Sequence, residues 1–143
     1  MAWCYGDLGI GIALLQVRKI LEKKEYEKKG LEILLKSTQR RNYNETLVTD
    51  AGICHGSAGI ALIFRRMYYE IGRKEFKEAT QYWINQTLHF SRFEDGLAGY
   101  KTYIKDGWKN DYSLLMGISG VGLVLLSYLE NDKQDWDEMF LLS

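Results

Sequence analysis

A glycine motif that recurs along the 143-residue chain constrains its fold more than any other feature. Each copy reads Gly-x-x-Gly and is followed by a run of apolar side chains: Gly6 with Gly9, Gly56 with Gly59, and Gly117 with Gly120. The copies lie roughly 50 to 60 residues apart, a spacing that indicates a repeat architecture. The chain contains no proline, so glycine must supply most of the breaks between its elements. We therefore interpret the sequence as three related units.

The apolar pattern predicts that each unit consists of an inner and an outer helix. Directly after each motif most residues are apolar. Further along, apolar residues recur only at helical spacing, and polar residues follow them. Between the motifs, residues such as Leu34 and Trp83 belong to more conventional amphipathic helices. We expect each inner helix to begin at its motif, and Gly30 and Gly72 to lie near the breaks between inner and outer helices.

Glycine at the start of an inner helix has two physical explanations. A helix end that approaches another group closely has no room for a Cβ atom. The loop that enters the helix can also require a positive φ angle. A simple easing of helix packing stays open as an explanation for Gly117 and Gly120.

Residues 97–111 interrupt the helical pattern. Asp106 and Gly107 lie between aromatic and β-branched residues, an arrangement that favours a β-hairpin turn. The segment WDEMFLLS at 136–143 predicts a short final outer helix. The expected fold class is therefore all-α: one domain over residues 1–143, with about three inner and outer helix pairs and a small hairpin insertion near residues 97–111.

Composition argues against several classes of function. The 19 basic and 19 acidic side chains balance, so a nucleic acid or an anionic membrane is not expected as the main partner. No apolar run approaches the roughly 20 residues of a membrane span, and the N-terminal segment lacks the basic region of a signal peptide. We therefore expect a cytoplasmic protein. Two cysteines, Cys4 and Cys54, are too few for a disulfide framework, so any special role would be as thiols or metal ligands.

Both cysteines occupy equivalent positions in the repeat. Cys4 and Cys54 each precede the first glycine of a motif by two residues, and His55 follows Cys54 directly. Where the starts of neighbouring inner helices meet, two sulfurs and one imidazole would converge, which is a three-ligand set for Zn²⁺ with a fourth position open. The positive ends of the helix dipoles are expected to lower the pKa of the nearby thiols. Such a site suits the activation of a substrate thiol.

Other interpretations of these side chains stay open. A free cysteine is often a small buried apolar side chain, so a purely structural role without metal is the main alternative for Cys4 and Cys54. His89 has no cysteine beside it and is expected to be structural. Asp7 and Asp50 are candidates for helix capping or for orienting a metal ligand, and capping is the favoured interpretation.

The segments WCYGDLGIG (residues 3–11) and ICHGSAGIA (residues 53–61) resemble the signature segments of the lanthionine synthetase C-like family, the lantibiotic cyclases. The third motif, in MGISGVGLVLL, resembles the last repeat of that family. The resemblance extends over the whole chain and corresponds to the C-terminal part of a family member. It implies part of an α/α toroid, in which a full member closes a ring of seven inner helices inside seven outer ones.

The resemblance also implies a chemistry. It implies a Zn²⁺ ion held by Cys4, Cys54 and His55, on which a peptide cysteine is activated. The thiolate then adds to the β-carbon of dehydroalanine or dehydrobutyrine, and protonation of the resulting enolate completes a thioether ring. Tyr5 matches a tyrosine of the family's active site, with a packing role as the alternative. The implied partners are a dehydrated precursor peptide and, in a biosynthetic complex, a dehydratase and a transporter.

The chain also departs from the family pattern. The family's proposed proton-transfer histidine and aspartate, an active-site arginine and the first four helical repeats all lie upstream of the segment that matches residues 3–11. We therefore expect low intrinsic cyclase activity from the 143-residue chain. Either the chain is a fragment or a truncated reading frame, or copies of it self-associate through exposed toroid edges. The alternative function is a non-catalytic module that binds zinc and a thiol or peptide, since eukaryotic relatives of the family are associated with glutathione.

Overall fold

The computed structural model describes residues 1–130 and 136–140. Six α-helices are present in these ranges: α1 (Asp7–Leu21), α2 (Lys24–Ser37), α3 (Tyr43–Thr46), α4 (Ser57–Ile71), α5 (Lys74–His89) and α6 (Ile118–Glu130). They are accompanied by two strands and a 3₁₀ turn: β1 (Thr102–Ile104), β2 (Gly107–Lys109) and Glu138–Phe140. Within the described ranges, no helix has both the length and the apolar character that crossing a membrane requires.

Inner helices pair with outer helices, as the apolar pattern predicts. α1 packs against α2, α4 packs against α5, and α4 also contacts α6. All residues of α4 from Ser57 to Met67 are buried, so α4 is the central inner helix. Phe64 of α4 stacks on Phe76 of α5 with ring centroids 6.1 Å apart. The all-α fold class is confirmed, with two complete helix pairs and the inner helix of a third.

Each inner helix begins at its Gly-x-x-Gly motif. Gly6 and Gly56 are the residues that precede α1 and α4, and α6 begins directly after Gly117. A Cβ atom on the second glycine of each motif would overlap a carbonyl oxygen of the entering loop: Gly9 with Trp3, Gly59 with Ile53, and Gly120 with Leu114. The loop therefore lies directly on the first turn of the helix that it enters, and only glycine leaves room for it.

Positive φ angles do not explain these glycines. Gly6 and Gly56 have φ angles of −101° and −101°, in the extended region open to any residue. The expectation of a left-handed conformation is therefore wrong for them, and close approach is the physical reason for glycine. Left-handed glycine occurs instead at Gly72, which ends α4 with a φ angle of 75°.

Two local features differ from the sequence-based expectation. Gly30 lies inside α2 rather than at a break between helices. Glycine suits this position because a Cβ atom there would come within 2.8 Å of the carbonyl oxygen of Gly11 on α1. The short helix α3 was not expected. It begins after Asn42, whose side chain accepts a hydrogen bond from the backbone N–H of Glu45 at 3.1 Å. The Nδ2 amide of Asn42 also donates to Oε2 of Glu45 at 2.7 Å, so the two side chains hold the start of this helix together.

The predicted hairpin is present within residues 97–111. β1 and β2 pair antiparallel with Tyr103 opposite Trp108, and Gly107 opens β2 with a φ angle of 108°. Of the final outer helix predicted at 136–143, the described residues contain the 3₁₀ turn Glu138–Phe140, and residues 141–143 lie outside the described ranges.

A pair of alanine substitutions tests the close approach at the helix starts. We expect Gly59→Ala to lower the free energy of unfolding by about 1–3 kcal/mol, because a backbone carbonyl cannot move aside as a side chain can. Gly122→Ala, in α6, is the matched control, since a Cβ atom there meets no neighbour within 4 Å. It should raise the free energy by about 0.5–1 kcal/mol through helix propensity. Urea unfolding followed by circular dichroism measures both, and equal effects would contradict the assignment.

Candidate metal centre

Backbone hydrogen bonds join the loops that enter the three inner helices. The N–H of Trp3, before α1, donates to the carbonyl oxygen of Cys54 at 3.2 Å. The N–H groups of Ile53 and Cys54, before α4, both donate to the carbonyl oxygen of Leu115 at 2.8 and 2.9 Å. The three loops therefore lie side by side at one end of the inner helices. This arrangement brings equivalent positions of the repeat together.

The two cysteine sulfurs are in contact. Sγ of Cys54 lies 2.8 Å from Sγ of Cys4, and the Cys4 thiol donates to the carbonyl oxygen of Cys54 at 3.4 Å. Cys4 is exposed and Cys54 is partly buried. The structural interpretation of both as buried core side chains is therefore wrong. The two thiols meet at the surface, at the junction of the first two repeats.

The environment of Cys54 disfavours its thiolate in the absence of a cation. Burial, the hydrogen bond to Cys4 and the nearby charges of Cys4 and Asp50 raise the pKa of Cys54 to about 12. The expectation that helix dipoles would lower the pKa of this thiol is therefore wrong, because desolvation and the neighbouring acidic groups outweigh them. A group that supplied positive charge between the sulfurs would reverse this balance.

Tyr5 and His55 flank the sulfur pair. The two rings stack with centroids 6.4 Å apart and an interplanar angle of 29°. Tyr5 is 78% exposed, so its main role is not core packing. Partial desolvation and then the charges of Cys4, Cys54 and Asp50 raise the pKa of the Tyr5 phenol. The phenol is therefore protonated at neutral pH and can donate a hydrogen bond.

The donor types at this position fit zinc. Two thiols and an imidazole one residue away from Cys54 are among the commonest zinc ligands in proteins. Within the described ranges, no group of three or more His, Cys, Asp and Glu side chains is arranged closely enough to hold a metal ion. Cys4, Cys54 and His55 would nevertheless supply the three ligands of a zinc ion, since two of these donors, the sulfurs, already lie 2.8 Å apart.

Asp50 holds the loop that carries Cys54 and His55. Its carboxylate accepts hydrogen bonds from the N–H of Gly52 at 3.0 Å and from the N–H of Tyr103, in β1, at 2.9 Å. The residue that precedes α4 is Gly56, and no side chain caps this helix. The favoured interpretation of Asp50 as a helix cap is therefore wrong. Nothing in the sequence pairs Asp50 with a strand so far along the chain.

Asp7 and His89, also singled out in the sequence, make contacts other than those of the sulfur pair. Asp7 is the first residue of α1 and pairs with Arg40, without capping the helix through its side chain. His89 ends α5, where its ring nitrogen Nδ1 lies 2.8 Å from the carbonyl oxygen of Asn85. Its assignment as structural is consistent with this contact.

The C-terminal turn supports the loop of Cys4. Nε1–H of Trp3 donates to the carbonyl oxygen of Phe140 at 3.1 Å, and the two rings meet edge to face with centroids 5.4 Å apart. Trp3 thus joins the thiol-bearing loop on one side to the α4 loop and on the other to the 3₁₀ turn. Sequence analysis missed this contact, because no periodic pattern connects the two residues.

Mild oxidation tests the sulfur contact without any metal. We expect diamide to convert Cys4 and Cys54 of the metal-free chain into an intramolecular disulfide, because the two thiols already touch. Mass spectrometry should detect the loss of two hydrogen atoms and a cross-linked pair of tryptic peptides. Cys4→Ser is the control and should leave one free thiol. Purely intermolecular products from the unsubstituted chain would contradict the geometry.

Comparison with known proteins assigns the family. The family described as "Lanthionine synthetase C-like protein" matches residues 1–141. The structure resembles that of nisin cyclase with a TM-score of 0.72 and 25% sequence identity, over 99% of this chain and 31% of the cyclase. The chain thus spans about a third of the cyclase's length, and this similarity supports the expected part of an α/α toroid. On the family match over nearly all of its residues, the chain belongs to the lanthionine synthetase C-like family.

Proposed function

We propose that the chain is the zinc-bearing part of a lanthionine-forming cyclase, with a dehydrated precursor peptide as substrate. The observation that carries the proposal is the contact between the sulfurs of Cys4 and Cys54, which belong to different repeats and meet at 2.8 Å. Membership of the lanthionine synthetase C-like family and the similarity to nisin cyclase support it.

In this proposal Cys4, Cys54 and His55 hold the metal ion. Bound there, zinc would lower the pKa of a peptide thiol in its open coordination position and keep that thiol as a nucleophilic thiolate at neutral pH. The exposure of Cys4 and the surface position of the site leave room for a peptide to approach. Backbone hydrogen bonds join the loops that carry Cys4, Cys54 and His55, which supports a shared role for these side chains.

The proposed reaction is a Michael addition. The substrate sulfur forms a bond to the β-carbon of dehydroalanine or dehydrobutyrine, and the electrons of the carbon–carbon double bond move to the adjacent carbonyl as an enolate. A proton added at the α-carbon completes the thioether. Tyr5 is the candidate donor of a hydrogen bond to the enolate, because its phenol is exposed, protonated at neutral pH and stacked on His55.

The chemistry of the substrate implies partner proteins in the cell. Dehydration of the precursor peptide must precede the reaction, so a dehydratase is the expected upstream partner and a transporter the expected downstream one. We place this chemistry in the cytoplasm. These partners are part of the proposal alone.

Metal analysis of the purified chain and its variants tests the proposal. We expect about one zinc ion per chain, lost in Cys4→Ala, Cys54→Ala and His55→Ala, because each variant removes one of three ligands. His89→Ala is the matched control, since this histidine is exposed and bonds only locally at the end of α5. It should keep its zinc. A folded wild-type chain that binds no zinc would contradict the proposal.

A second measurement separates catalysis from binding. Incubation with a dehydrated peptide that contains one cysteine should yield a thioether product, resistant to thiol alkylation, only slowly from the wild-type chain, in line with its expected low intrinsic activity, and none above background from Cys4→Ala. Zinc and peptide binding without any product would instead favour a non-catalytic zinc- and thiol-binding module.

A further inference from the structure

Asp50 is a buried carboxylate whose position suggests more than a structural role. It is 1% exposed, and an ionised carboxylate in such a place is stable only when its oxygens are hydrogen-bonded. Oδ1 accepts from the N–H of Gly52, in its own loop, and Oδ2 accepts from the N–H of Tyr103, in the hairpin. These bonds fix the carboxylate between the α4 loop and β1.

The same carboxylate faces the candidate metal ligand. Nε2 of His55 lies 3.9 Å from Oδ2 of Asp50, and the His55 side chain is 22% exposed. A carboxylate that faces one nitrogen of an imidazole favours the tautomer that carries the proton on that nitrogen. The proton would therefore be on Nε2, and Nδ1 would keep its lone pair.

We infer that Asp50 is the positioning residue of the metal centre: it fixes the ring and the tautomer of His55 so that Nδ1 is the nitrogen offered to zinc. Through the N–H of Tyr103, the hairpin in turn fixes Asp50. This inference rests on the zinc site proposed above. It adds which imidazole nitrogen of His55 would bind zinc. It also assigns the hairpin a role in holding a ligand that is distant from it in the sequence.

Zinc affinity is the first test. Asp50→Asn keeps the size of the side chain but loses the charge that faces His55, so we expect zinc affinity to fall roughly 10- to 100-fold. Competition with a chromophoric chelator measures the affinity. Thr80→Val is the matched control, because it removes a buried hydrogen bond within α5, from Oγ1 of Thr80 to the carbonyl oxygen of Phe76 at 2.8 Å, and changes neither Asp50 nor the hairpin.

The control separates positioning from stability. Thermal unfolding of both metal-free variants gives the loss of stability, and the zinc affinity of Thr80→Val should change far less than that of Asp50→Asn at a comparable loss of stability. Equal changes in affinity, or an unchanged affinity in Asp50→Asn, would overturn the inference.

Nitrogen NMR tests the tautomer of His55 in the unsubstituted chain, so this test does not depend on the folding of a variant. Long-range proton–nitrogen spectra of the metal-free chain at about pH 8, above the ordinary histidine pKa, should report the Nε2–H tautomer for His55. In the cadmium-substituted chain, coupling to the metal should appear at Nδ1. An Nδ1–H tautomer, or coupling at Nε2, would overturn the inference.

These readouts distinguish the two proposals. A chain with the Nε2–H tautomer that binds no metal would overturn the zinc site and keep the contact between Asp50 and His55. A zinc-binding chain with ligation through Nε2 would overturn the role of Asp50 and keep the zinc site.

Discussion

The placement of each entering loop directly on the first turn of its inner helix is the constraint on which the rest of the structure depends. Gly9, Gly59 and Gly120 allow it, because a Cβ atom at any of these positions would overlap a loop carbonyl oxygen. Each entering loop therefore contacts its inner helix at the same point of the repeat. Neighbouring loops can then exchange backbone hydrogen bonds, as Trp3 does with Cys54 and Cys54 with Leu115.

This alignment explains how an ordinary pair of cysteines becomes a candidate metal centre. A residue two positions before the first glycine occupies the same place in each loop, so Cys4 and Cys54 meet although they are far apart in the sequence. The surroundings of Cys54 raise the pKa of its thiol, so this thiol is protonated at neutral pH in the absence of a cation. Metal binding would then be linked to the release of protons.

The sequence predicted the parts of this molecule that repeat. The helix starts, the inner and outer alternation and the meeting of Cys4 with Cys54 all follow from periodicity, and the hairpin follows from Asp106 and Gly107. The contacts of Asp50 with Tyr103 and of Trp3 with Phe140 occur once each and leave no pattern. The direction of the Cys54 pKa also required the structure, because it depends on burial and on neighbours from other loops.

The contact between Trp3 and Phe140 has a consequence for biosynthesis. Trp3 leaves the ribosome among the first residues of this segment, whereas Phe140 emerges only after all three inner helices have been made. Until then the loop of Cys4 lacks the hydrogen bond and the ring contact that Trp3 makes with Phe140. The loop of Cys4 is therefore expected to take up its final position only after Phe140 has been synthesised.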